Sequence, residues 1–254
     1  SLDANTTGAD NVAMGYNTLS ASTTASNNTA IGHKVLEDST SGAQLTGLGG
    51  FALTNNTTGD DNTALGYGTL SSNTTGSHNT GVGRHALNAN TTASNNTAIG
   101  RSALLVNTTG AENTAVGANA LDANTTGSEN VAFGDNALSN NTTGASNTAL
   151  GRHALEDCVT GSNNTAVGGD AMIDNTGSNN TAVGRSSMRV HTSGSDCTAV
   201  GAYSLDANTT GDNNVAVGRD ALSQNTTADD ITAIGAYCAS DAGSSGTAES
   251  VFVG

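Results

Sequence analysis

Residues 96–112 read Asn96-Thr97-Ala98-Ile99-Gly100-Arg101-Ser102-Ala103-Leu104-Leu105-Val106-Asn107-Thr108-Thr109-Gly110-Ala111-Glu112, and Asn113 begins the same pattern again with Asn-Thr-Ala-Val-Gly. Working outward, related pentads start at Asn11, Asn28, Leu45, Asn62, Asn79, Asn96, Asn113, Asn130, Asn147, Asn164, Asn180, Cys197, Asn214, Ile231 and Ser250, so fifteen copies cover the 254 residues. The step is 17 residues except twice. It is 16 where a Thr is missing at Asn175-Thr176-Gly177, and 19 where Gly243-Ser244-Ser245-Gly246 is expected to lengthen a turn.

Counted from the first residue of the pentad, the consensus is N-T-A-V-G-x-x-A-L-x-x-N-T-T-G-x-x. The second position is always Thr or Val, residues whose branching at Cβ favours an extended backbone. The fourth is always bulky and apolar, as in Met14, Ile31, Leu48, Leu65, Phe133 and Val217, and is read as pointing into a core. The ninth, Leu from Leu19 to Leu222 apart from Met172 and Met188, is read as a second core ladder, with Ala239 near the end. Period-two alternation sets the second and fourth positions on one face and the first and third on the other. Because Leu45, Cys197 and Ile231 replace Asn at the first position, both faces are expected to be buried. One would lie inside the coil and the other against a neighbouring chain, as in a homotrimer. Gly fills the fifth position in every copy, which predicts a positive φ or an approach too close for a Cβ.

Seventeen residues with two short extended stretches and two turns cannot bury a face alone, but stacked coils build a continuous parallel sheet and core. The expected fold is therefore all-β, a parallel β-solenoid (left-handed β-roll by the resemblance given below) with one coil per repeat. It is read as a single solenoid domain over residues 1–254, with a partial coil at 1–10 and an irregular last coil at 236–254. Fifteen coils stacked about 4.8 Å apart would extend on the order of 70 Å. Helical repeats need longer units with apolar residues at 3.6 spacing, and two Gly with an Asn-Thr-Thr run in most copies would break each helix.

Composition agrees with a thin core: 33 Gly, no Pro or Trp, 3% aromatic and 11% charged residues. Low hydrophobicity with a net charge of −15 also describes disordered chains, but disorder does not require strict periodicity. Seven Lys and Arg are too few to neutralise a phosphate backbone, so no nucleic-acid partner is expected. No apolar run approaches the roughly 20 residues of a membrane span, and no membrane insertion is expected. No signal peptide is read at Ser1, and the start in mid-repeat suggests a segment of something longer.

Candidate chemistry lies in the repeated polar columns. Asn at the twelfth position (Asn56, Asn73, Asn90, Asn107, Asn124, Asn141, Asn208 and Asn225) would form a stacked amide ladder or, as Asn-x-Ser/Thr, exposed glycosylation sites. Thr at the thirteenth and fourteenth positions (Thr57, Thr74, Thr91, Thr108, Thr125 and Thr142 lead the pairs) would satisfy turn backbone groups or present an ice-binding face. An acidic edge including Asp10, Asp60, Asp61, Glu112, Glu129, Asp196, Asp212, Asp229 and Asp230 is read as a solvated edge with Ca²⁺ binding as its rival. His33, His78, His85, His153 and His191 are read as surface residues. Cys158, Cys197 and Cys238 show no CxxC spacing and are read as small-residue replacements. No catalytic set, cofactor or metal site is expected, and no enzyme.

The pentads Asn96-Thr97-Ala98-Ile99-Gly100 and Asn164-Thr165-Ala166-Val167-Gly168, followed two residues on by Ala103-Leu104 and by Ala171-Met172, resemble the head repeats of trimeric autotransporter adhesins. The run Asn-Thr-Thr-Gly-x-x-Asn-Thr-Ala-Val-Gly is similar to repetitive fibre proteins of marine bacteriophages and bacteria. This resemblance implies a trimer of left-handed β-rolls outside the cell, at a cell surface or on a virion, with a structural and adhesive role and a cell-surface glycan as partner. The repeat is longer than the usual adhesin head repeat, and no neck, heptad stalk or membrane-anchor barrel is read within these 254 residues. The alternatives are a purely structural, glycosylated extracellular filament and an ice-binding solenoid using the Thr rows.

Overall fold

The computed structural model describes residues 1–240 and 250–254. The expected turn extension at Gly243-Ser244-Ser245-Gly246, and with it the middle of the last coil placed at 236–254, lies outside the described residues. The chain comprises two compact units, Ser1–Glu129 and Asn130–Gly254. The first carries β1 (Val12–Met14), β2 (Thr29–Ile31), β3 (Thr46–Leu48), β4 (Thr63–Leu65), β5 (Thr80–Val82), β6 (Thr97–Ile99) and β7 (Thr114–Val116). The second carries β8 (Val131–Phe133), β9 (Thr148–Leu150), β10 (Thr165–Val167), β11 (Thr181–Val183), β12 (Thr198–Val200), β13 (Val215–Val217), β14 (Ile231–Ile234) and β15 (Ser250–Val253).

Within each unit consecutive strands pair in parallel, position for position, as in Thr63↔Thr80 and Leu65↔Val82 or Thr148↔Thr165 and Leu150↔Val167. The chain is thus an all-β parallel solenoid with one coil per repeat. The short 16-residue repeat keeps this register, with Thr165 opposite Thr181. The deletion is absorbed in the turn, where Asn175 Nδ2 reaches the Gly177 carbonyl at 3.1 Å over two residues instead of three.

The inward face is the reverse of the sequence expectation. The third position is inside: Ala30, Ala64, Ala98, Ala115, Ala132, Ala149, Ala166, Ala182, Ala199, Ala216 and Ala233 are fully buried. The fourth is outside, with Met14 67%, Phe133 57%, Leu48 47%, Ile99 41% and Leu150 41% exposed. The cause is the width of the coil. A Cβ on Gly81 would lie 2.5 Å from Thr69 Cγ2 on the opposite wall, and one on Gly47 would collide with Val35 Cγ1. From Ala13 to Ala233 the third position carries only a methyl or a hydrogen, and Phe252, 40% exposed, takes that place only in the last strand. Both glycines there face a β-branched eighth-position residue; at the same twelve-residue offset the sequence pairs Ala86 with Ala98 and Ala103 with Ala115, and Thr18 with Ala30.

The second expected extended stretch is not a strand. Positions seven, nine and seventeen take left-handed conformations, as in Ser102 (φ 59), Leu104 (φ 51) and Glu112 (φ 61). This conformation costs an L-residue roughly 1–2 kcal/mol, and the ninth-position Leu offsets it by complete burial. The alternating handedness also aims amides along the stack. Phe51 N–H donates back to the His33 carbonyl (2.9 Å), while Leu53 N–H donates forward to Thr69 (3.0 Å) and Asn55 N–H to Ser71 (3.2 Å). The fifth-position Gly behaves as expected: Gly100 has φ +139, and a Cβ there would collide with the Gly117 carbonyl oxygen.

Candidate functional site

The two Asn columns stand inside the coil. At the first position, Asn28 Oδ1 accepts from Leu45 N–H (2.8 Å) while its Nδ2 donates to the Gly42 carbonyl (2.9 Å), tying one coil to the next by two bonds. At the twelfth, Asn73 Nδ2 donates to Asn56 Oδ1 at 2.7 Å, Asn90 to Asn73 at 2.8 Å, Asn107 to Asn90 at 3.1 Å, Asn124 to Asn107 at 2.8 Å and Asn225 to Asn208 at 3.2 Å. Each also caps its own turn, as Asn141 Nδ2 does to the Gly144 carbonyl (3.1 Å). Asn56, Asn73, Asn90, Asn107, Asn124, Asn141, Asn208 and Asn225 are all fully buried. The stacked-amide reading therefore holds as an interior ladder, not a surface one. The glycosylation reading fails at these eight residues, because the folded coil leaves no room for a sugar on a buried amide.

The thirteenth-position Thr hydroxyls are likewise committed. Thr57 donates to the Thr74 carbonyl (2.9 Å), Thr74 to Thr91 (3.0 Å), Thr91 to Thr108 (3.2 Å), Thr108 to Thr125 (3.0 Å) and Thr142 to Val159 (3.1 Å). Thr57, Thr74, Thr91, Thr108, Thr125 and Thr142 are half-buried, and only their fourteenth-position neighbours are exposed. The thirteenth-position row thus directs its hydroxyl protons along the stack, and the fourteenth-position row alone faces outward. Acidic residues at the sixteenth position bracket backbone too, Asp60 Oδ1 accepting from Ala43 N–H and Asp212 Oδ1 from Ser195 N–H, both at 2.8 Å. No group of three or more His, Cys, Asp or Glu is placed to hold a metal among the described residues.

Reading all five histidines as surface residues fails at His191. It replaces Asn at the twelfth position and is fully buried, its Nδ1 2.9 Å from Asn175 Oδ1 and its Nε2 without a partner. Burial pushes its pKa down to about 4. Burial also raises the thiols of Cys158 and Cys197 to about 11, so neither is a reactive thiolate. The three cysteines are free.

Two surface features remain. The first is the outward face of each unit's sheet, where second- and fourth-position side chains make a column of Thr, Val, Ile and Leu. None of these thirty positions is charged in a chain of net charge −15. The second was not visible in the repeat consensus, because it uses the variable sixth and seventh positions. Tyr16, His33, Phe51, Tyr67 and His85 form a column of rings on consecutive coils, with centroids 5.4, 5.1, 5.5 and 5.6 Å apart in order. Beside it lies a surface hollow of about 330 Å³ lined by Phe51, Thr54, Tyr67, Ser71, His85 and Asn88 with Asn55 and Gly68. The signal available in the sequence was the pairing of ring with glycine, Gly50-Phe51 in one copy and Tyr67-Gly68 in the next.

No protein-family model and no curated protein matches this sequence.

Proposed function

We propose that this chain is a structural and adhesive segment of an extracellular fibre, in the manner of an adhesin head or a phage tail fibre, and that it self-associates as a homotrimer through its sheet face. The observation that carries this reading is the uncharged apolar column on that face, including Met14, Leu48, Ile99, Phe133 and Ile234 at 41–67% exposure. Apolar patches this continuous are uncommon on surfaces that face only water. A second copy suits the column because its knobs recur once per coil, about every 4.8 Å, and an identical stack has the same spacing. The polar ladders inside and the small core supply stiffness without any chemistry of bond making.

Light scattering with small-angle X-ray scattering tests it. The expected mass is about three times the 24.8 kDa chain. A dimer would remove the trimer and keep self-association, whereas a monomer at high concentration would overturn the proposal.

A further inference from the structure

We infer that the hollow beside Tyr67 binds a neutral pyranose, as one residue of a surface glycan. This rests on the adhesive part of the proposed function and names its ligand and its site.

The room in the hollow comes from Gly68. Position seven is left-handed in coil after coil and elsewhere holds Asn, Ser, Asp, His, Lys or an aromatic; here it is Gly, with φ +65. A Cβ on Gly68 would lie 2.8 Å from His85 Nδ1. Its absence leaves a gap between Phe51 on the preceding coil and His85 on the following one. Tyr67, half exposed, contacts both rings edge-on. At about 330 Å³ the space is at the small end of ligand pockets, roughly 300–1,000 Å³.

The lining is ring on one part and amide or hydroxyl on the other. A pyranose has the same division, with C–H groups on its faces and hydroxyls around its edge. The electron-rich face of an aromatic ring attracts polarised C–H groups. The polar part is already fixed. Asn88 Nδ2 donates to the Gly68 carbonyl (2.8 Å) and to Ser71 Oγ (2.7 Å) and lies 3.4 Å from His85 Nδ1. That leaves Asn88 Oδ1 as an acceptor and the Ser71 hydroxyl proton as a donor. Thr54 donates its own proton to the Lys34 carbonyl (3.0 Å), so its oxygen is also an acceptor. Asn55 is exposed and contributes both kinds. Adjacent sugar hydroxyls each need one donor and one acceptor, and this set offers both.

Charge narrows the class. No carboxylate, Lys or Arg lines the hollow. Burial, and after it the charge of Arg84, lowers the pKa of His85, keeping the ring neutral near pH 7. An anionic sugar finds no counter-charge here. A single shallow site of this kind binds weakly, and copies of the chain in one fibre would add by multivalency.

The test is saturation-transfer NMR on the full chain with methyl glycosides of glucose, galactose, mannose and N-acetylglucosamine, using N-acetylneuraminic acid as the anionic comparison. At least one neutral glycoside is expected to bind with Kd on the order of 1 mM. Tyr67→Ala is expected to weaken it at least about tenfold. Gly68→Asn fills the hollow with a residue the same position already carries at Asn17, Asn119 and Asn136, so it keeps the fold and should abolish binding. Binding that survives Gly68→Asn, no signal from any neutral glycoside at about 20 mM, or equal binding of the anionic sugar would overturn the inference. Light scattering on Gly68→Asn is expected to give the wild-type mass. Loss of sugar binding and loss of self-association are therefore read separately.

Discussion

At the scale of single residues, the interior is governed by hydrogen-bond completeness more than by apolar area. In the buried ladder Asn73 shows the pattern, its Nδ2 donating to Asn56 Oδ1 and to the Gly76 carbonyl while its Oδ1 accepts from Asn90 Nδ2, and such pairing is what permits a polar core at all. His191 shows the cost of departing from this, since one ring nitrogen is buried without a partner. Its pKa is about 4 when folded, against an ordinary value near 6.5, so between those values the unfolded chain binds the extra proton. Stability from this residue is unaffected at pH 7 and falls as pH drops from about 6.5 to about 4, by about 3 kcal/mol in full. Replacing it by the consensus residue, His191→Asn, should restore the ladder and remove that part of the acid sensitivity. Thermal melts of both forms at pH 7 and pH 4.5 check this; an unchanged difference between the two pH values would refute it.

At the scale of the coil, packing across a single methyl-wide interior couples opposite walls. Close-packed interiors respond to one added methyl group, and overpacking typically costs about 1–3 kcal/mol. Gly81→Ala should destabilise by an amount in that range, because its Cβ would meet Thr69 Cγ2. Thr69 also donates its hydroxyl to the Gly83 carbonyl at 2.6 Å, so Thr69→Ala alone should be destabilising. The pair together reproduces the Ala86–Ala98 arrangement found in the following coils. A double-mutant cycle in urea is expected to give a favourable coupling of about 1 kcal/mol or more. Strict additivity would mean that the two walls do not meet as placed.

At the scale of the whole molecule, internal Asn amides committed to one another and to backbone carbonyls and an external apolar face left exposed point in one direction. Ile99→Glu in the first unit and Val200→Glu in the second both change exposed side chains, 41% and 38%. Their effect on the fold should stay within about 0.5 kcal/mol. Their effect on association should be large, since each copy would bring a carboxylate into a dry interface. The double variant is expected to run as a monomer in light scattering with unchanged far-UV circular dichroism. A variant that keeps the wild-type mass would place the contact elsewhere.

Much was legible in the residues alone. The 17-residue period, the fixed Gly of the fifth position and the Thr-Ala-Val core of each strand determine a stacked parallel solenoid, because identical units with one extended segment can bury it only against one another. The Asn ladder and the backbone role of the Thr hydroxyls were readable as well, since stacking carries each side chain onto its equivalent. The ring column was not, because its members are split between two variable positions, the sixth for Tyr16, His33 and Tyr67 and the seventh for Phe51 and His85, and become neighbours only once coils are superposed. Nor was the direction of the strand. Period-two alternation states that Thr97 and Ile99 share a face and that Ala98 takes the other; it is symmetric as to which face is inside. The tertiary structure decided that through the width of the coil, which admits the methyl of Ala98 and the amide of Asn96 but not the side chain of Ile99, and so turned the bulky apolar column outward.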